Sequence, residues 1–157
     1  MAKHNDKMGQ PEDAIAMLKA DHQRVRDLFQ EYEAAQDQQA KRDIAEEAFV
    51  ELEMHAQLEE QVFYPAVEDE TDEQGQDLVE ESLEEHQTVK DLIQALREMG
   101  PDAKAFDAKF KELVRNVEQH VEEEESQMFP LAEEQLADEV EDLMDEMQEL
   151  KEQLLAS

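Results

Sequence analysis

The sequence predicts an all-α protein, an up-down-up-down four-helix bundle with a C-terminal helical extension. Three observations lead there. The 157 residues include 3 Gly and 4 Pro while Glu, Gln, Leu and Ala abound, which is the composition of helices. Apolar residues recur at intervals of three and four along successive segments. The chain also repeats itself: HQRVRDL at 22–28 returns as HQTVKDL at 86–92, an offset of 64, and His55, Glu59 and Pro65 return as His120, Glu124 and Pro130, an offset of 65. Each half therefore reads as a helical hairpin, and two hairpins about a pseudo-two-fold axis complete a bundle.

Residues 1–10 read as a disordered polar lead-in with His4 solvated in it, and the bundle is assigned to 11–134. The first helix carries the stripe Ile15, Leu18, His22, Val25, Phe29, Tyr32 and ends at a polar turn around 37–39. The second carries Ala48, Leu52, His55, Glu59, Val62, Ala66 and runs into an acidic loop at 69–75. The third carries Val79, Ser82, His86, Val89, Ile93, Leu96 and is closed by Gly100-Pro101, a strong stop signal. The fourth carries Phe106, Phe110, Leu113, Val117, His120, Glu124, Met128, Leu131. Residues 135–157 form a fifth, amphipathic helix, with Leu136, Val140, Leu143, Met147, Leu150 and Leu154 in a coiled-coil seam. Such a line of apolar residues left bare would be an unusual patch, so residues 136–154 are expected to pair with a second copy or a partner helix, or to fold back on the bundle.

Charge and composition exclude several classes. With 14 basic against 45 acidic residues the formal charge is −31, a surface that repels nucleic acid and anionic lipid, so neither is expected as a partner. There is no cysteine, hence no disulfide and no thiolate ligand. The N-terminus is polar and no apolar run approaches a membrane span, so a cytoplasmic location and no membrane partner are expected. No nucleophile–base pair or phosphate loop supports hydrolase or kinase chemistry.

The anomaly lies on the apolar stripes. His22, His55, His86 and His120, with Glu59 and Glu124, all fall on core-facing positions. A buried carboxylate without a partner costs several kcal/mol, so something positive must sit between the two. Counted from the helix ends, His22 and His55 both lie about 24 Å from the first turn, at 1.5 Å per residue, and His86 and His120 agree to within about a turn. Residues i and i+4 share a face, so each HxxxE pair aims a nitrogen and an oxygen at one point. Four imidazoles and two carboxylates in a dry bundle form the ligand set of a dinuclear transition-metal site. Zinc prefers fewer ligands and magnesium or calcium prefers oxygen, so iron fits best and manganese less well. Glu60 and Glu125 read as solvated, because i+5 leaves the stripe unless the helix bulges. Glu122 and Glu123 read as surface, and Phe63, Tyr64, Met128 and Phe129 as core or wall residues that dry the site.

The motifs DHQRV around His22, HAQLEEQVFYP from His55, EEHQTV around His86 and HVEEEESQMFP from His120 resemble those of hemerythrin-like (HHE cation-binding) domains, over residues 12–134. Ferritin-like bundles use Glu-x-x-His instead, and here Leu52 and Val117 stand three before His55 and His120. The resemblance implies a non-heme diiron site, two iron ions (Fe2+/Fe3+) bridged by Glu59 and Glu124 and by an oxo or hydroxo group, that binds or reacts with dioxygen, peroxide or nitric oxide. True hemerythrins carry a fifth His four residues after the one matching His86; here that position is Lys90, and its counterpart in the first half is Arg26. The acid that hemerythrins place five residues after the last His matches Glu125, while Glu124 repeats Glu59 and lies on the stripe. Two other classes remain alongside: an iron-responsive sensor whose bundle is stabilised by metal, and a metal-free helical adaptor.

Overall fold

The computed structural model describes residues 13–156, and the lead-in 1–10 with His4 lies outside the described residues. Each bundle helix starts at an aspartate. Asp13 caps α1 (Ala14–Ala34), Asp37 caps α2 (Gln38–Leu58), Asp72 caps α4 (Glu73–Glu98) and Asp102 caps α5 (Ala103–Glu123). In each case the carboxylate accepts a backbone N–H of the first turn that has no helical partner, at 2.9 to 3.1 Å. The turn before α2 is accordingly earlier than the polar pattern suggested, and Gln38 and Gln39 are already helical.

The second and fourth rods do not run as plain α-helices. At Glu59–Phe63 and again at Glu124–Met128 the backbone widens into a π-helical turn, then resumes as α3 (Tyr64–Glu70) and α6 (Phe129–Gln135). The N–H of Tyr64 reaches back five residues to Glu59 O, and that of Phe129 to Glu124 O. Pro65 and Pro130 follow directly. A proline ring clashes with the carbonyl four residues earlier in a regular α-helix, and a widened preceding turn relieves that clash.

The acidic loop expected at 69–75 shrinks to Thr71 and Asp72. Thr71 turns its hydroxyl back to Val67 O, and Gly75 opens the next helix so close that a Cβ there would lie 1.7 Å from Thr71 Oγ1. Only glycine permits that approach.

Packing divides the interior in two. One apolar cluster, around Phe29, Tyr32, Phe49, Ile93, Phe110 and Leu113, fills the end of the bundle near the 37 and 101 turns. The other, around Leu18, Leu58, Phe63, Val79, Met128 and Phe129, fills the opposite end. The seam completes this second cluster. Leu136 is fully buried, and α7 (Val140–Ala156) folds back on α1 and α2 with Val140, Leu143 and Met147 buried and Leu150 packed beside them. Of the two arrangements expected for this helix, the structure shows the intramolecular one. No helix among the described residues is long and apolar enough to cross a membrane.

Candidate metal centre

Between the two apolar clusters, where a regular bundle would hold more leucine, stand the polar residues of the stripes. His22 comes from α1, His55 from α2, His86 from α4 and His120 from α5; Glu59 and Glu124 are each the first residue of a π-turn. All six are buried, and the two carboxylate side chains have 0% exposure. The structure thus brings together every residue that the sequence nominated as a metal ligand.

The two glutamates lie across the middle, each dividing its oxygens between two histidine pairs. Glu59 Oε2 stands 3.3 Å from His55 Nε2, while its Oε1 stands 2.9 Å from His86 Nε2 and 3.8 Å from His120 Nε2. Glu124 Oε1 stands 3.0 Å from His22 Nε2, and its Oε2 3.5 Å from His120 Nε2. Donor atoms therefore converge on two points, one among His22, His55, Glu59 and Glu124, the other among Glu59, His86 and His120, with the atoms of each group within 4.8 Å of one another. At the first point His22 Nε2, His55 Nε2, Glu59 Oε2 and Glu124 Oε1 are all buried and none has a hydrogen-bond partner, although their separations are those of ion pairs. Close, misaligned, unsatisfied donors of this kind are what a cation between them would satisfy.

The outer nitrogens are equally ordered. His55 Nδ1 meets Asp21 at 3.0 Å, and His22 meets Glu125, His86 meets Glu60 and His120 meets Glu85 at 2.7 Å each. Carboxylates in this position fix the tautomer and orientation of a ligating imidazole. Asp21 and Glu85 are related by the 64-residue offset and Glu60 and Glu125 by the 65-residue one, so the supporting acids obey the same repeat as the ligands. The expectation that Glu60 and Glu125 are solvated is therefore corrected. Their side chains are 25% and 28% exposed, and the π-turn is the cause: by adding a residue to the turn it rotates i+5 from the His back toward the bundle. Since each binds the outer nitrogen of an imidazole from the other hairpin, neither reaches the donor points themselves. Lys90 clamps Glu60 from outside at 3.0 Å.

Without metal, the neighbouring carboxylates favour the charged form of His55, His86 and His120. Burial works against charge on His55, but Glu59 and Asp21 outweigh it and hold the ring up to about 10. Burial likewise opposes charge on His120, and its bonds to Glu124, Glu59 and Glu85 raise it to about 12. Both lie above the ordinary value of 6.5, so the stability they confer is complete below that pH and is lost as pH rises through the folded values. Metal-free protein is accordingly expected to melt at a lower temperature at pH ~10.5 than at pH ~6, as read by circular dichroism; an equal or higher midpoint at the alkaline pH would contradict this pairing.

Comparison with known proteins agrees with the geometry. The family model described as Hemerythrin HHE cation binding domain matches residues 13–132, with a second match over 84–156. An uncharacterized hemerythrin-like protein of Schizosaccharomyces pombe is 29% identical over 119 residues, 76% of this chain and 59% of that protein. A DNA nickase of a Nostoc species is 29% identical over 113 residues, 72% of this chain and 31% of that protein. The chain thus spans less than two thirds of the first relative and under a third of the second. No solved structure matches. The buried His and Glu donors, their paired supporting acids and a family match over most of the chain place this protein in the hemerythrin HHE cation-binding domain family.

Proposed function

We propose that the protein is a non-heme diiron protein that binds or reacts with dioxygen, peroxide or nitric oxide. The observation that supports this most directly is the division of Glu59 and Glu124, one oxygen of each turned toward His22 and His55 and the other toward His86 and His120. In this reading His22 and His55 would hold one ion and His86 and His120 the other, with Glu59 and Glu124 each offering an oxygen to both. Iron bound there would supply one-electron redox chemistry and a coordination position for a small ligand. Asp21, Glu60, Glu85 and Glu125 keep the imidazoles aligned. Val25, Leu52, Val89, Ile93, Val117 and Val121 line a pocket on one side of the histidines. Its walls are mostly aliphatic, with Glu53 and Lys90 also lining it, and suit a small ligand.

Nuclease activity of the kind named for the Nostoc relative forms no part of this reading. The match covers 31% of that protein, and a formal charge of −31 opposes a phosphate backbone. The test is metal content with reactivity. Reconstituted protein is expected to hold two iron ions per chain in preference to zinc, and Glu59→Ala to hold neither firmly. On reduction it should oxidise when mixed with dioxygen or peroxide. Binding of one ion per chain, or a reduced form inert to all three ligands, would reject the proposal.

A further inference from the structure

The two donor points are not alike. At the point among His22, His55, Glu59 and Glu124 the inward atoms have no hydrogen-bond partner. At the other, Tyr64 Oη lies within 3.5 Å of every donor atom, 2.5 Å from Glu124 Oε2, 3.0 Å from Glu59 Oε1, 3.2 Å from His86 Nε2 and 3.5 Å from His120 Nε2. One hydroxyl donates a single proton and accepts at most two, so it cannot satisfy all four atoms at once. Its placement is that of a fifth donor gathered with the others around one position.

The internal repeat supplies a control for this asymmetry. The 65-residue offset that relates Glu59 to Glu124 relates Tyr64 to Phe129. The two rings are equivalently seated: each opens the α-helix that follows a π-turn, and each packs beside a histidine of the other hairpin. Tyr64 lies 5.4 Å from the His86 ring and Phe129 lies 5.7 Å from the His22 ring. Packing alone is thus met by phenylalanine, as position 129 demonstrates. What Tyr64 adds is an oxygen, and it adds it at one donor point only.

We propose that Tyr64 is itself a metal ligand, its phenol oxygen bound to the ion held by His86 and His120, so that this ion has one protein donor more than the ion at His22 and His55. The assignment rests on the dinuclear reading above. Coordination exchanges the hydroxyl proton for the metal, and the proton leaves to solvent. It also supplies the extra donor at the ion where hemerythrins carry a fifth histidine and this chain has Lys90: Glu60 is held by His86 Nδ1 and Lys90, whereas Tyr64 Oη stands among the inward donor atoms.

Ferric iron bound by a phenolate absorbs visible light through charge transfer, which gives a readout independent of activity. The chain has only one other tyrosine, Tyr32, whose hydroxyl bonds Asp107 within the other apolar cluster. A visible phenolate band in the diferric protein can therefore come only from Tyr64. The oxidised, iron-loaded protein is expected to show this band, and Tyr64→Phe to lose it while keeping two irons per chain. Resonance Raman spectra of the unaltered protein, grown with ring-deuterated tyrosine, should show isotope-shifted phenolate modes, a measurement that needs no variant to fold. Two bound irons without such modes, or a band that persists in Tyr64→Phe, would overturn the assignment and leave the diiron reading intact. Failure of the unaltered protein to take up iron would overturn both.

Discussion

Removing the metal from loaded protein is expected to lower its thermal midpoint by about 10 °C or more. An ion present at a thousand times its dissociation constant stabilises the native state by about 4 kcal/mol, and each kcal/mol moves the midpoint of a chain this size by about 2–4 °C. A second ion in the same core would add to this. The physical origin is the pair Glu59 and Glu124, whose side chains are wholly buried and face one another across the bundle. In metal-free protein the raised His55 and His120 offset these carboxylates, which is why its stability is expected to decline at alkaline pH, while the loaded form resists that decline. Calorimetry before and after chelation, with metal removal verified, is the measurement. An unchanged midpoint would count against the whole centre.

Truncation after Gln135 is expected to be the most damaging single change outside the centre. It removes Leu136, Val140, Leu143 and Met147 from the cluster that also contains Leu18, Phe63 and Met128. At about 1.5–3 kcal/mol for each buried apolar side chain, the loss is about 6–12 kcal/mol, which rivals the total stability of a typical domain. The truncated chain should therefore melt non-cooperatively or fail to fold. Met147→Ala isolates the packing effect, at about 2–5 kcal/mol. Because α7 supplies none of the atoms at the two donor points, Met147→Ala should keep its full metal content at temperatures where it is folded. Metal loss from that folded variant would make the C-terminal helix part of the centre.

What the sequence determined by itself is the repeat and its polar interruptions. The offsets of 64 and 65 residues, together with the three-four spacing, were enough to place His22, His55, Glu59, His86, His120 and Glu124 at matched heights on core-facing stripes. That legibility has a simple cause: within one helix, facing is a matter of periodicity. The same periodicity misplaced Glu60 and Glu125, because it assumes 3.6 residues per turn and the π-turns violate that assumption where the ligands sit. The signal for them was present, since an acid follows each repeated Glu at the same offset. Asp21 and Glu85, each just before a repeated histidine, carried the same unused signal.

Other features exist only between helices, and no spacing within a helix can reveal them. The apolar seam from 136 to 154 required a cover, but only the tertiary fold decided that α1 and α2 provide it. Tyr64 and Phe129 read alike as wall residues, since both are large, aromatic and buried. Whether the hydroxyl of Tyr64 ends in an apolar wall or among Glu59, His86, His120 and Glu124 depends on how the two hairpins dock, because His86, His120 and Glu124 belong to the second hairpin and Tyr64 to the first. A side chain's chemical role is set by the atoms that meet it, and here those atoms come from residues up to 60 positions away in the chain.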